Sequence, residues 1–440
     1  MRIHFESRWN KIHEGFWFLP TTLIIAGFLL GNLTTRLDGL TQSWTSEHLS
    51  VIFPGNTDWA KSFLTTVSAS LGVAITLIIS TTIIALTLAS QQFGPRLLRN
   101  FLRDTTTKAI LGVFFGTAIF GFVVRFRIGV DFIPYISIAV MGALGLMDVF
   151  LLILFVHHIS VSIHSSNVMA VVSRDYSKAV DKLFPQKLLE TPPATELPLH
   201  PRDVPANFEK EARPINSNES GYIQNIDYEY LLDLAREKDV ILKIHPRPGE
   251  FIIEGTPLAS VWPGTAYEKS FFLKLNQAIF LGNERTLTQD VEFAINQLVE
   301  IAVRALSPAI NDPFTATRSL NRLSQGLVEL AQTHMPTPYL YDTQQKLRLI
   351  IKTINFPMMV DASFNLIRQN AVNCPLVLVS VLEALGSISP FVQSEEDRAV
   401  LRLHADMVER ACQRSLSEEV DRNLVERAYQ ALLEKMPSSG

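Results

Sequence analysis

"TTIIALTLASQQFGPRLLRNFLRD", residues Thr81 to Asp104, changes character at its midpoint. Its first ten residues carry no charge, while its last nine hold Arg96, Arg99 and Arg103. An apolar helix ending in a basic cluster has the pattern of a membrane span leaving the bilayer on the side that retains positive charge. Gly94-Pro95 separates the two halves. Glycine suits a helix end, and proline suits the first position of a new helix, where its missing N–H would have had no partner.

Working outward, the whole chain divides by hydropathy. It has 440 residues, 47% of them hydrophobic, yet its mean hydropathy is only +0.19. That combination fits a part-membrane, part-soluble protein. Four apolar runs approach or exceed the ~20 residues needed to cross a ~30 Å hydrocarbon core: Phe16–Leu37, Phe63–Ser90, Ala109–Phe126 and Ile133–Ile163. The first run is too long for a signal core and lacks a clear small-residue cleavage site, so it reads as an uncleaved membrane helix.

The flanks set a direction. Arg96, Arg99, Arg103 and Lys108 follow the second run, Arg174, Lys178 and Lys182 follow the fourth, and Arg2, Arg8 and Lys11 precede the first. The opposite loops are poorer, with Arg36 and Lys61 in one and Arg125 and Arg127 in the other. The asymmetry predicts both termini on the cytoplasmic side of the membrane, with the spans in contact with lipid. Trp9, Trp17, Trp44 and Trp59 fall near the borders, as amphipathic rings do. Beyond Gly94, Arg96, Arg99 and Arg103 share one helical face opposite Leu97, Leu98, Phe101 and Leu102. This is either a short interfacial helix with arginines towards lipid phosphates or a plain positive-inside loop.

Three blocks carry a resemblance: "ASQQFGPRLLRNFLRD", "GYIQNIDYEYLLDLA" (Gly221–Ala235) and "RTLTQDVEFAINQLVEIAVRALSPAINDPFTA" (Arg285–Ala316). They resemble a family of predicted bacterial membrane proteins, domain of unknown function 2254. The resemblance implies an N-terminal membrane part and a soluble C-terminal part. It brings no catalytic residues.

Polar residues inside the spans are the functional candidates. Thr65, Gly72, Thr76, Ser80, Thr87 and Gln91 form a narrow stripe on the second span at helical spacing. Hydroxyls there either line a hydrated path or let helices pack closely. Gly112 and Gly116 repeat the small-residue spacing in the third span. Asp148 lies roughly 22 Å along the fourth span from Ile133 at ~1.5 Å per residue. A carboxylate at that depth is costly, so it faces the bundle interior, where it either holds helices together or serves ion or proton passage. His157 and His164 share a face but stand ~10 Å apart, too far for one metal ion without further ligands, and His158 adjoins them; no metal site is expected.

After the spans, seven prolines fall between Pro185 and Pro214, a linker composition. The expected organisation is a four-helix transmembrane domain over 1–170, a proline-rich linker over 171–215, a small β-rich module over 216–287 and a helical cytosolic domain over 288–440. "PGEFIIEGTPL" in the module resembles the rhythm of barrel-sandwich domains related to lipoyl carriers. No lysine stands at the hairpin tip, so a carrier role is not expected. In "SPAINDPFTATRSL", Asp312 and Pro313 suit an N-cap and first helical position. The competing reading gathers Arg285, Arg304, Asn311, Asp312 and Arg318 around a small anionic ligand.

Composition and motifs bound the function. Thirty-nine basic against 43 acidic residues, a net charge of −4, argue against a nucleic-acid binder. Cys374 and Cys412 cannot form a disulfide framework. Phosphate-loop, zinc-protease and nucleophile-elbow signatures are absent, which lowers the prior for an enzyme, and no cofactor is indicated. Two readings follow. One is a homo-oligomeric ion channel or permease-like protein with a cytosolic sensing or assembly domain. The other is a membrane-anchored sensor or scaffold without transport.

Overall fold

The structure, a computed structural model, describes residues 15, 17–41, 56–94, 104–129, 132–162, 164–184, 204–264 and 269–436. The chain divides into two compact units, one ending at Asn167 and the other starting at Val168.

The first unit contains four helices long and apolar enough to cross a membrane. They are α1 (Phe18–Leu40), α2 (Thr57–Phe93), α3 (Thr105–Arg127) and α4 (Tyr135–Ser162). Their limits come from capping as much as from hydropathy. Asn56 accepts from the Trp59 amide to start α2, and Asp104 accepts from the Thr106 and Thr107 amides to start α3. Gly94, at φ 96° and ψ 157°, ends α2 in a backbone conformation that side chains with a Cβ avoid. At 37 residues, α2 is about 55 Å long, well beyond a hydrocarbon core.

Half of the apolar window of α3 is buried inside the bundle, against 22% for each of the other three, so α3 is the central helix. Small residues allow this. A methyl added at Gly27 of α1 would fall on the backbone carbonyl of Gly116, and one at Gly112 would meet Pro20 and Leu23. The two backbones touch, as small-xxx-small spacing permits in a bundle that lipid cannot drive together hydrophobically. Gly31 faces Phe120 and Val123, so α1 and α3 run parallel. Phe63 lies beside Gly142 and Val67 beside Gly145, so α2 and α4 also run parallel. Arg125 donates to Thr65 Oγ1 at 2.6 Å, which brings the end of α3 to the start of α2. The four helices alternate in direction, as consecutive crossings require. Leu29, Val73, Ile83, Leu146, Phe150 and Ile153 point outward. Water would penalise such a belt, and lipid would not.

The second unit mixes helix and sheet. It takes up α5 (Ser165–Leu183) from Val168 onward, and that helix occupies the first part of the stretch read as linker. Its Tyr176 is buried and donates to the carbonyl of Gly326 at 3.0 Å. Then come α6 (Phe208–Glu211), β1 (Arg213–Asn216), β2 (Gly221–Ile226), α7 (Tyr228–Lys238), β3 (Ile241–Ile244), β4 (Phe251–Ile252), β5 (Pro257–Trp262), α8 (Lys269–Gln277) and β6 (Ile279–Gly282). Next are α9 (Val291–Ala305), α10 (Pro313–Ala331), β7 (Tyr339–Tyr341), β8 (Leu347–Ile350), α11 (Phe356–Asn370), α12 (Pro375–Ile388), α13 (Glu395–Ser415) and α14 (Glu419–Lys435).

One sheet has the order β1-β5-β3-β8-β7 and the other β4-β2-β6. Ile223, Ile226, Leu242, Ile244, Leu258, Val261 and Leu349 belong to one buried core that both sheets share with α7 and α8. The residues of "PGEFIIEGTPL" form β4 and the start of β5, with turns at Gly249 (φ 90°) and Gly255 (φ 82°). The reading of helix alone beyond residue 287 needs correction. β8 lies parallel to β3, with Leu242 opposite Leu349, so the sheet takes two strands from that stretch. Helices α9 to α14 pack on one another beside it.

Candidate functional site

Three polar clusters lie along α4, one at each end of the bundle and one in its middle. At the Tyr135 end, Asp38 of α1 is 1% exposed. Its Oδ1 accepts from the Ile136 amide at 2.7 Å and its Oδ2 from the Ser137 amide at 3.0 Å. Ser137 Oγ donates to Oδ2 at 2.7 Å and lies 2.9 Å from Thr34 Oγ1. The amides at the start of a helix lack intrahelical partners. Asp38 therefore caps α4 from a different helix, and a carboxylate suits the positive end of its dipole. Arg127 donates to Asn32 Oδ1 at the same end, at 3.2 Å.

At the other end, Asp104 caps its own helix α3 and also meets α4. Its Oδ2 accepts from Thr107 Oγ1 at 2.6 Å and lies 2.8 Å from His158 Nε2. Lys108, one turn further into α3, is buried there as well.

Asp148 lies between these ends, 1% exposed. Among the described residues, neither carboxylate oxygen has a hydrogen-bond partner. The buried Thr117 hydroxyl of α3 is a polar neighbour, without the geometry of a full bond. A buried polar group without a partner is costly, and more so if charged. The surrounding helices offer no counter-charge: α1 has none before Arg36, α2 none between Lys61 and its end, and α3 none between Lys108 and Arg125.

The hydroxyl stripe of α2 lies elsewhere. Thr65, Gly72, Thr76, Ser80, Thr87 and Gln91 are all exposed on the outside of the single-chain bundle. Thr76 and Thr87 return their hydroxyls to the carbonyls of Gly72 and Ile83, each at 2.9 Å. Asp148 and the stripe therefore do not share a path within one chain. Arg96, Arg99 and Arg103 lie outside the described residues. His157 and His164 are exposed, His158 is half-buried, and no metal-binding group of three His, Cys, Asp or Glu side chains occurs among the described residues.

In the second unit the proposed anion ligands are split. Arg285 grips Asp290, with Nε at 2.7 Å from Oδ2 and Nη2 at 2.9 Å from Oδ1. Asp290 in turn caps α9 through the Phe293 amide at 3.1 Å. Burial pushes the Asp290 carboxyl above the usual carboxylate range, with Arg285 pulling it back. Arg304 stands at the far end of α9, ~20 Å away along the axis, 4.0 Å from Glu300. Asp312 caps α10, accepting from the Thr315 amide at 3.1 Å and from Thr315 Oγ1 at 2.6 Å. The Thr315 hydroxyl bond holds the Asp312 carboxyl below its ordinary range, with smaller help from Arg318. Asn311, exposed at φ 47°, makes the turn before it. These are the geometries of two helix caps and a turn.

Sequence reasoning missed Asp38, the Asp104–His158 contact and the Asp290 grip. Asp104 before Thr-Thr-Thr is a readable N-cap signal. Asp38 had none, because its partner lies about a hundred residues away.

A family described as predicted membrane proteins, DUF2254, matches residues 13–387. A protein of Mycobacterium bovis, titled uncharacterized, is 30% identical over 431 residues, covering 94% of this chain and 80% of its own. One from Mycobacterium tuberculosis strain H37Rv, also titled uncharacterized, shows the same 30% identity and the same coverage, 94% and 80%. No solved structure matches the chain.

Proposed function

Since the chain belongs to the DUF2254 family of predicted membrane proteins, we propose that it is a permease-like or channel protein that moves an ion through the bundle at Asp148. The carrying observation is the carboxyl buried in mid-span with neither oxygen hydrogen-bonded among the described residues. A purely structural Asp would be expected to satisfy its oxygens, as Asp38 and Asp104 do at the two ends. The protein lies in a bacterial inner membrane with both termini cytoplasmic, as the Lys/Arg distribution favours. Its second unit is then a cytosolic sensing or assembly domain. Copies associate through the outward small-residue stripe of α2, which suits helix–helix contact.

Purified protein in liposomes should pass an ion, and Asp148→Asn should reduce that flux. Silence across several ions, pH values and voltages would refute transport. The competing reading, a membrane-anchored sensor or scaffold, draws on the separate hydrophobic core of the second unit and expects Asp148→Asn to change nothing. Cysteines placed near Glu47 should react with an impermeant reagent from outside, and those near Arg99 only after permeabilisation. The reverse pattern would overturn the orientation.

A further inference from the structure

The ionisable and hydroxyl groups of α4 are ordered along the helix in a way that identifies the ion. Ser137 and Asp148 are eleven residues apart, so on an α-helix they lie within roughly 20° of the same face. Both are buried, at 0% and 1% exposure. Rising ~1.5 Å per residue, the three clusters stand ~16 Å apart from Ser137 to Asp148 and ~15 Å apart from Asp148 to His158. Together they cover about the thickness of a hydrocarbon core. Each contains a carboxyl: Asp38 beside Ser137, Asp148 itself, and Asp104 beside His158.

We infer that Asp148 is the central station of a proton path through each protomer, entered past Asp38, Ser137 and Thr34 at one end and left past His158 and Asp104 at the other, or the reverse. The inference rests on the transport reading and specifies its cargo. Calcium and magnesium take six or more oxygen ligands, and zinc takes four, mostly nitrogen and sulfur. Asp148 and Thr117 supply only three oxygens, and no second carboxyl or histidine joins them within the spans. A proton needs one atom. On entry a carboxylate O–H bond forms as hydronium or a water-relayed donor on that side loses its proton, which gives the neutral acid and removes the buried charge; on exit that O–H bond breaks and the proton passes to water or to a base on the other side, restoring the carboxylate.

Between Ser137 and Asp148, the part-buried Ser68 hydroxyl of α2 lies beside Gly121 and Met141, one polar group among buried apolar ones. Between Asp148 and His158, the same face of α4 carries Phe155 and Ile159, 1% and 9% exposed. These side chains close that half. Apolar side chains close both halves, Met141 at 0% exposure on one side of Asp148 and Phe155 at 1% on the other, so passage is gated by side-chain movement, with Phe155 as the plug on the His158 side.

The ionisable groups on neighbouring helices sit at the bundle ends: Asp38 and Arg36 on α1, Asp58 and Lys61 on α2, and Lys108, Arg125 and Arg127 on α3. None reaches mid-span, so a titration arising there belongs to Asp148.

The full-length protein is reconstituted in liposomes containing a pH-sensitive dye, with a potassium gradient and valinomycin setting the voltage. Proton entry is expected, reduced at least tenfold by Asp148→Asn, retained by Asp148→Glu, and increased by Phe155→Ala. Infrared difference spectra across a pH titration should show a carboxylic acid band that Asp148→Asn abolishes. That second measurement does not depend on flux, so a variant that merely fails to assemble is recognised by the Glu variant and by its spectrum. Sodium or potassium flux that Asp148→Asn leaves unchanged, with no titrating acid band, overturns the proton path and spares the transport reading. No flux of any ion overturns transport, and the path with it.

Discussion

Replacing Arg285 with methionine tests whether the loop before α9 is held by a buried charge pair. The Asp290 side chain is 2% exposed and that of Arg285 22%. The arginine gives Asp290 two short hydrogen bonds and lies 5.6 Å above the Phe293 ring. Without it, Asp290 keeps only the Phe293 amide as a donor. Stranding one member of a buried pair costs about 3–5 kcal/mol. Partial water access to Arg285 places the loss near the lower limit, about 3 kcal/mol. At ~1.4 kcal/mol per factor of ten, that is on the order of a hundredfold in the local opening constant. Hydrogen exchange of peptides covering residues 285–299 in detergent-solubilised protein reads it directly. The pH dependence makes the test specific. Burial already lifts the Asp290 carboxyl above its ordinary range against the pull of Arg285, so removing the arginine lifts it further. A carboxyl whose folded value is raised binds protons in the native state that the unfolded state releases, so stability falls as pH rises through that window. The deficit of Arg285→Met must therefore be greatest at neutral pH and shrink as pH falls towards the ordinary carboxylate range. Adding Asp290→Asn, which still caps α9, should recover much of the loss. A deficit below about 1 kcal/mol, or one that ignores pH, would refute a buried-pair account.

Gly326→Ala would drive a methyl into the Tyr176 ring; overpacking should cost about 1–3 kcal/mol, seen as faster exchange in α5 and α10 and relieved by Tyr176→Leu. Asp312→Ala should cost about 1 kcal/mol at the start of α10 and Asp312→Asn far less, read from exchange of the Thr315 amide. Burial holds the fully buried His404 imidazole below the ordinary histidine range, against the pull of Asp361 at 2.9 Å. The unfolded chain then takes up a proton that the native one refuses, so stability should fall as pH drops through the ordinary histidine value. His404→Gln should flatten that slope in thermal unfolding between about pH 8 and 5.5.

The fold was legible wherever the signal is local. Hydropathy placed all four spans, Gly94 ended α2, Asp312 and Pro313 opened α10, and Gly112 and Gly116 marked the close approach of α1 to α3. The length of α2 was not read, since Asn56 starts the helix ahead of Asp58 and Lys61, before the apolar run begins. Strands of three and four residues, as in β7 and β8, are too short for periodicity to show. The pairing of β8 with β3 joins residues about a hundred positions apart. Distance misled in the other direction at Arg285 and Arg304, which are near in sequence but held apart by a straight helix. The site was half legible: depth singled out Asp148, but only packing showed that the α2 stripe turns away from it.

That separation gives the two routes opposite mutational signatures. If ions cross at an axis between copies, the outward stripe lines the way, because Gly72, Thr76 and Ser80 are the small and hydroxyl positions that no neighbour within the chain covers. Thr76→Leu with Ser80→Leu would then narrow and dry the path and lower conduction, while Asp148→Asn, facing Thr117 inside the protomer, would have little effect. If each protomer carries its own path, the signs exchange. Asp148→Asn stops flux, and the leucine pair acts only through association, shifting the oligomer in crosslinking without changing flux per assembled chain. Both variants measured in one liposome assay, normalised to protein inserted, decide between them. Under the proposal the second signature is expected, because the stripe hydroxyls of Thr76 and Thr87 are already returned to their own helix, whereas the oxygens of Asp148 have no hydrogen-bond partner among the described residues. Loss of flux in the leucine pair with full flux in Asp148→Asn would overturn it.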